Sequence, residues 1–303
     1  MRVGVIGGPR NQTNPQLVAA WRAAGIDARL FSPEAAYGRL GAGDVALLRV
    51  DVRESLDGVE PGLELVGALA EGGVRILNTP EALLGAHDKL ETDHLLREAG
   101  LPVPRSAHVT SADELVELSF PVVVKPRFGS WGRDVFLCED ETELAGCLGS
   151  VRERRWFLAN GALVQELVTR GRYDLRLIVA GGRVVGGARR DAAEGEWRTN
   201  VSLGGTISSA QLDPGAAALA EAATGAVGID FAGVDLLPRA GGGHVVLELN
   251  GAVDFDGRYS LRGGDAYLDA AAALGLPSGA QAEMSATFAP ERASRSFVRS
   301  LTD

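Results

Sequence analysis

An α/β fold in more than one unit is what this sequence predicts, and three observations carry that expectation. Residues 1 to 78 alternate short β-branched runs with helical stretches. Residues 120 to 137, FPVVVKPRFGSWGRDVFL, read as a strand, a glycine loop and a return strand. Two further hairpins follow, their turns marked by Gly181-Gly182 and by Gly241-Gly242-Gly243. Short strands mixed with helices in this way build layered α/β and α+β domains. With 303 residues and 46% hydrophobic composition, the chain has material for two or three packed cores.

The first unit alternates strand-like Val3 to Ile6, helical Gln16 to Ala24, strand-like Ala28 to Phe31 and Val45 to Val50, helical Gly62 to Glu71, and strand-like Arg75 to Leu77. This is a small open α/β sheet. Its first turn, Gly7-Gly8-Pro9-Arg10, lacks the G-x-G-x-x-G spacing, and Pro9 removes a donor where a helix N-terminus should supply one, so a dinucleotide site is not expected. Thr79-Pro80-Glu81 then opens a helix as N-cap, first-turn proline and first-turn acid. Its apolar stripe, Leu83, Leu84, Leu90, Leu95 and Leu96, runs to Gly100, with a break expected near His87-Asp88-Lys89. Lys89 reads either as a solvated cation paired with Asp93 one turn on or as a functional cation.

In the central stretch, Val122 to Val124 form a buried strand that Lys125 ends, Gly129, Ser130 and Gly132 expose backbone N–H groups in the loop, and Val135 to Leu137 return. The chain carries 30 Lys plus Arg, yet lysine stands only at Lys89 and Lys125. Two retained lysines in an arginine-biased chain point to sites that need a compact point charge, with phosphate oxygens as the target.

A helix is expected over Glu141 to Arg152. The strand LVQELV (Leu163 to Val168) carries Glu166, a carboxylate that needs a partner there. Tyr173 to Val179 and Arg183 to Arg190 flank the Gly181-Gly182 turn, and Asp174 and Arg176 share one face. A polar glycine-rich loop covers residues 195 to 206, and Pro214 to Ala226 is an alanine-rich helix. The last hairpin pairs Phe231 to Pro238 with His244 to Asn250. If its turn centres on Gly241-Gly242, Asp235 falls opposite Glu248, with Asn250 on the face of Glu248. Two acids and an amide on apolar strands suit Mg²⁺, with Mn²⁺ as the alternative ion; the other reading is two exposed strand acids that happen to align.

Composition excludes other classes. A net charge of -10 and a pI near 5.0 disfavour nucleic-acid and anionic-membrane partners. Cys138 and Cys147 are too few for a disulfide framework, and His87, His94, His108 and His244 have no metal-ligand spacing, so all six are expected to be structural. There is no G-x-S-x-G and no Cys–His pairing for a hydrolase. The start at Met1 shows no signal-peptide pattern and no run of 18 apolar residues occurs, making cytoplasmic location the expectation.

In this order the motifs resemble the ATP-grasp superfamily, and within it the RimK-like and LysX-type ligases. The resemblance covers about residues 76 to 277. It is carried by Val123-Val124-Lys125-Pro126 with Phe128-Gly129-Ser130-x-Gly132-Arg133, by Trp197-Arg198-Thr199-Asn200 with Gly204-Gly205, and by Gly233-Val234-Asp235 with Leu247-Glu248-Leu249-Asn250. It implies a pre-ATP-grasp α/β domain at 1–78, an ATP-grasp domain at 79–277 divided at 160/161 into a central lid-bearing and a C-terminal subdomain, and a peripheral tail at 278–303.

The resemblance further implies that Lys89 and Lys125 contact ATP phosphates under a loop containing Gly129, Ser130 and Gly132. Glu166 and Leu167 would line the adenine pocket and Asp174 would hold the ribose. Arg198, Thr199 and Asn200 would lie near the transferred phosphoryl group, and Asp235, Glu248 and Asn250 would bind the metal. Arg176 and Arg190 are added as cations aimed at an acyl phosphate. The implied activity is ADP-forming ligation of an amino acid to a carboxylate of a small molecule, peptide or carrier protein, in a homo-oligomer. A modifier of ribosomally made peptides and a non-catalytic ATP-binding regulator are the alternatives. One departure bears on substrate: glutamate-adding members often follow the metal Asn with x-Ser-Pro-Gly, whereas here Gly251-Ala252-Val253-Asp254-Phe255 follows, which is closer to the LysX-type pattern.

Overall fold

The computed structural model describes residues 1–8, 10–114, 116–168 and 172–277, so the expectations for Pro9 and for the tail at 278–303 lie outside the described residues. The N-terminal unit comprises β1 (Val3–Ile6), α1 (Thr13–Ala23), β2 (Ala28–Phe31), α2 (Pro33–Tyr37), β3 (Val45–Leu48), α3 (Val66–Glu71) and β4 (Arg75–Leu77). Its strands form a parallel sheet in the order β2-β1-β3-β4. Helix α1 begins earlier than the apolar pattern suggests because the Asn11 side chain accepts the N–H groups of Thr13 and Asn14 at 3.1 Å each, which caps the first turn. The short α2 was not anticipated; Ser32 caps it through the N–H of Ala35, with Pro33 in the first turn.

The central unit holds β5 to β8 and two helices. Helices α4 (Pro80–His87) and α5 (Lys89–Glu98) break at Asp88, where the broken apolar pattern put it, and Asp88 caps α5 by accepting from Leu90 N. Then follow β5 (Ser106–Val109), β6 (Val122–Pro126), β7 (Phe136–Cys138), α6 (Glu141–Val151), α7 (Arg155–Asn160) and β8 (Ala162–Glu166). These strands form an antiparallel sheet in the order β5-β8-β6-β7. Two placements differ from the expected subdomain limits. Strand β8, expected with the C-terminal part, sits inside this sheet, and α4 and α5 pack on α8 (Pro214–Val227) and on the final strand of the next sheet. Apolar faces decide both, since β8 buries Leu163 and Val164 while α4 buries Leu83 and Ala86.

The third sheet has the order β11-β10-β9-β12-β13, built from β9 (Tyr173–Ala180), β10 (Arg183–Asp191), β11 (Thr206–Ser209), β12 (Phe231–Pro238) and β13 (His244–Asn250), with α8 and α9 (Ala266–Ala273) beside it. Residues from this sheet and from the N-terminal sheet share two cores: Leu177 and Val234 cluster with Ile6 and Leu48, and Ile178 and Phe231 cluster with Val3 and Val5. The β5–β8 unit has a core of its own, around Val122, Leu148 and Trp156.

Asn78 ties the two sheets together. It is fully buried with φ +57, donates from Nδ2 to Leu48 O (3.0 Å) and Phe231 O (2.8 Å), and accepts from Phe231 N at 2.8 Å. Asn78→Ala removes these bonds while leaving buried backbone groups unpaired, so stability should fall by about 3 kcal/mol in urea unfolding. A loss under about 1 kcal/mol would show that the joint relaxes around the missing amide.

Candidate active site

The chemistry-bearing side chains converge where the faces of the second and third sheets meet. Lys125, at the end of β6, is 5% exposed, and its Nζ donates to Gln165 Oε1 at 2.9 Å. Burial is the main cause that lowers Lys125 to about 8, with Lys89 adding to the effect and Glu248 opposing it. Gln165 escaped the sequence reading, which singled out Glu166 in the same strand. Strand pairing assigns its role: Gln165 pairs in register with Val123 and so lies on the face that Lys125 ends, a partnership set by sheet order rather than by spacing along the chain. Glu166 stands at the strand end, half-buried, accepting from Ser119 N (2.8 Å) and facing Arg105 (3.3 Å), so the partner its position required is Arg105.

Lys89 opens α5. Its Nζ donates to Gly129 O at 2.7 Å and lies 3.4 Å from Glu248. Asp93, the alternative partner, binds Arg97 and Ser106 instead. The backbone holds Lys89 there: its N–H donates to Arg127 O, and Arg127 pairs with Asp88. Both lysines thus border one glycine loop from different elements.

On the third sheet, Asp235 pairs with Glu248 across β12 and β13, as expected, but by a different route. The turn closes one residue short of a Gly241-Gly242 centre, pairing Pro238 with His244. A bulge at Leu247 then restores the Asp235–Glu248 register. Such a bulge re-aims the side chains beside it. Asp235 itself is 2% exposed and bridges two arginines: Arg176 donates to both of its oxygens at 2.7 Å, and Arg190 reaches Oδ2 at 2.7 Å. Burial raises its carboxyl, but Arg176 and Arg190 outweigh this and hold it well below the usual carboxylate range.

Asp174, where the resemblance expects a ribose contact, is 1% exposed. Its oxygens accept from Arg190 (2.7 Å) and from Thr199 Oγ1 (2.5 Å), so the carboxylate anchors Arg190 and a loop residue. Among the described residues no group of three or more His, Cys, Asp or Glu is arranged to hold a metal. Of the three candidate ligands, Glu248 and Asn250 border the larger cavity, Asn250 Oδ1 accepting from Ala252 N at 3.0 Å; Asp235 would join them only by releasing an arginine.

The loop after β10 closes on the glycine loop. Arg198 is gripped by Glu196, whose carboxyl is lowered to about 2 chiefly by that hydrogen bond, and donates from Nη1 to Gly132 O at 3.0 Å. Asn200 Oδ1 lies so near Gly132 that a Cβ there would meet it at 2.6 Å, which accounts for glycine at this φ +67 position.

Two cavities result. One, of about 130 Å³, is bordered by both lysines, the glycine loop, Gln165, Glu166, Leu167 and Asp174. The other, of about 430 Å³, is bordered by Thr13 of the N-terminal unit, Arg176, Asn250, Asp254 and Tyr259. Ser130, Trp131, Arg190, Asn200 and Glu248 border both and so mark their junction. The larger cavity owes its wall to contacts remote in sequence: Thr13 Oγ1 donates to Phe255 O at 2.9 Å and Asp254 Oδ1 lies at 3.2 Å. No spacing in the sequence ties Thr13 to Phe255.

The histidines stay out of the site. His87 is buried against Val50 O and burial lowers it to about 4, while His108 faces Asn160 O. Both cysteines are free, and burial pushes Cys147 up to about 12. No helix among the described residues is long and apolar enough to cross a membrane.

Residues 86–269 match the family model of the RimK-like ATP-grasp domain. The chain is similar to the tetrahydromethanopterin:alpha-L-glutamate ligase of Methanosarcina acetivorans, at 30% identity over 73% of this chain and 79% of that protein. It is also similar to the glutamate–LysW ligase ArgX of Sulfurisphaera tokodaii, at 34% identity over 62% of this chain and 68% of that protein. Among solved structures, the ATP-grasp ligase PsnB complexed with minimal precursor, Mg and ADP has the same fold, with TM-score 0.63 and 19% identity over 90% of this chain and 97% of that one.

Proposed function

Because the chain belongs to the RimK-like ATP-grasp family of ADP-forming carbon–nitrogen ligases, we propose that it joins the amine of an amino acid, glutamate foremost, to a carboxylate of a small molecule, peptide or carrier protein. The observation that carries this reading is the junction of the two cavities, where Arg190, Asn200 and Glu248 face both. ATP occupies the cavity bordered by Lys89 and Lys125, with adenine toward Glu166 and Leu167, and the acceptor enters the larger one. Glutamate as the amine donor is supported by the relatives, which are named as glutamate ligases.

The acceptor carboxylate attacks the γ-phosphorus while the bridging P–O bond to ADP breaks, giving an acyl phosphate. The amine nitrogen then bonds to the acyl carbon, phosphate leaves with the C–O electron pair, and the proton lost by the nitrogen passes to the departing phosphate. Lys125 and Lys89 hold the phosphates, Arg190 and Arg176 neutralise the acyl phosphate and its adduct, and Arg198 and Thr199 keep the covering loop shut. Glu248 and Asn250, joined by Asp235 once an arginine releases it, would hold Mg²⁺, which would neutralise charge on the phosphates.

The test is ADP release with Mg²⁺ and ATP against amino acids paired with small acids, peptides and carrier peptides ending in Glu. Sustained ADP release above a slow basal hydrolysis is expected only when amine and carboxylate are both present. ATP binding with no turnover on any pair would leave a nucleotide-binding regulator, and turnover on a precursor peptide alone would make the chain a peptide modifier.

A further inference from the structure

A bulky residue at the tip of a phosphate-covering loop is costly on backbone grounds alone. Trp131 has φ +58, in the left-handed region that a non-glycine residue enters at a cost of about 1 kcal/mol or more. Contacts from both sides hold it there. Ser202 Oγ donates to Trp131 O at 3.1 Å, Arg198 Nη1 to Gly132 O at 3.0 Å, and Arg133 Nη2 to Glu54 O of the N-terminal unit at 3.1 Å. Glycine would adopt this backbone without strain. The indole, rather than the turn, therefore needs the explanation. Trp131 is 40% exposed and borders both cavities, and the Arg133 guanidinium lies 5.7 Å from its ring centroid.

We propose that the Trp131 indole is the partition between the nucleotide cavity and the acceptor cavity, keeping water from the γ-phosphate until an acceptor fills the junction and covers the ring. This rests on the reading of the two cavities given above. Without the partition, a water oxygen bonds to the γ-phosphorus as the bridging P–O bond breaks, releasing ADP and phosphate with no amide formed. Water attack on the acyl carbon likewise returns the free carboxylate and phosphate. Trp131 is then a positioning residue, acting by excluding solvent rather than by touching the reacting atoms.

The test compares Trp131→Gly and Trp131→Phe with the unaltered protein, using ATP and Mg²⁺ and no acceptor. Trp131→Gly is expected to raise ADP release at saturating ATP at least fivefold, with KM for ATP within threefold because the lysines are untouched. Trp131→Phe, which restores a ring, should stay within twofold of the unaltered protein. Unchanged ADP release from Trp131→Gly, with ATP bound as tightly by calorimetry, overturns the partition. So does loss of ATP binding at an unchanged melting temperature, which would assign the ring to the nucleotide itself. Failure of the underlying reading is a separate result: the unaltered protein does not bind ATP, or Lys125→Ala leaves ADP release unchanged.

Discussion

Lys125→Ala is expected to lower kcat/KM for ATP by about 10²- to 10³-fold, the size of effect that follows loss of one pre-positioned charged donor. The fold should survive. Burial lowers Lys125 to about 8 from 10.5, so its charged form is about 3 kcal/mol less favourable in the folded chain than in the unfolded one. Lys125→Met removes that cost and leaves Gln165 Oε1 without its donor, at about 1 kcal/mol. Its melting temperature should therefore equal or exceed that of the unaltered protein at pH 7.

The pH dependence has two opposite signs. Between about pH 8 and 10.5 the unfolded chain keeps a proton on Lys125 that the folded chain has lost, so the stability of the nucleotide-free protein rises with pH in that window relative to Lys125→Met. ATP binding needs the ammonium and falls through the same window. Titration calorimetry and thermal melts at pH 7, 8 and 9 check both slopes. Parallel slopes would mean that Lys125 does not meet the phosphates.

Asp235 and Glu248 face each other across one hairpin, yet their isosteric variants should behave in opposite ways. Asp235→Asn leaves Arg176 buried without its carboxylate and Arg190 with Asp174 alone, and breaking a buried pair of this kind costs about 3–5 kcal/mol. In a chain of this size that corresponds to a melting temperature lower by roughly 10 °C. The side chain of Glu248 is 24% exposed and sits 3.4 Å from Lys89 in a screened position. Glu248→Gln should shift the melting temperature by no more than about 1 °C, while removing Mg²⁺-dependent ADP release almost completely. Equal losses of stability in the two variants would place Glu248 in the structural network, and turnover that survives Glu248→Gln would remove it from the cation site.

Local pattern explains why so much was legible beforehand. The last hairpin runs over the expected residues, Phe231 to Pro238 and His244 to Asn250, because apolar runs bounded by a Gly-rich turn leave little choice of strand. Helix α8 follows from Asp213-Pro214 and an alanine run ended by Gly228. By contrast, α7 was missed: its Arg154 N-cap position makes no side-chain capping bond, and Arg155–Asn160 is too short to show a helical period.

The chemical inventory and much of its local geometry can be read from the sequence: two lysines beside a glycine loop, an Asp–Glu pair across a hairpin, an Asp-x-Arg face, and the family these resemble. Side-chain alternation and turn chemistry are short-range properties, so they can be read along the chain. Which of these groups serve one another depends on how the sheets pack together. Arg176 and Arg190 grip Asp235, Gln165 receives Lys125, Thr13 reaches the segment after β13, and Trp131 borders two cavities. Those pairings join residues far apart in the chain. They depend on sheet order and on how the N-terminal sheet shares its core with the third, which hydrophobic burial fixes globally and no local spacing encodes.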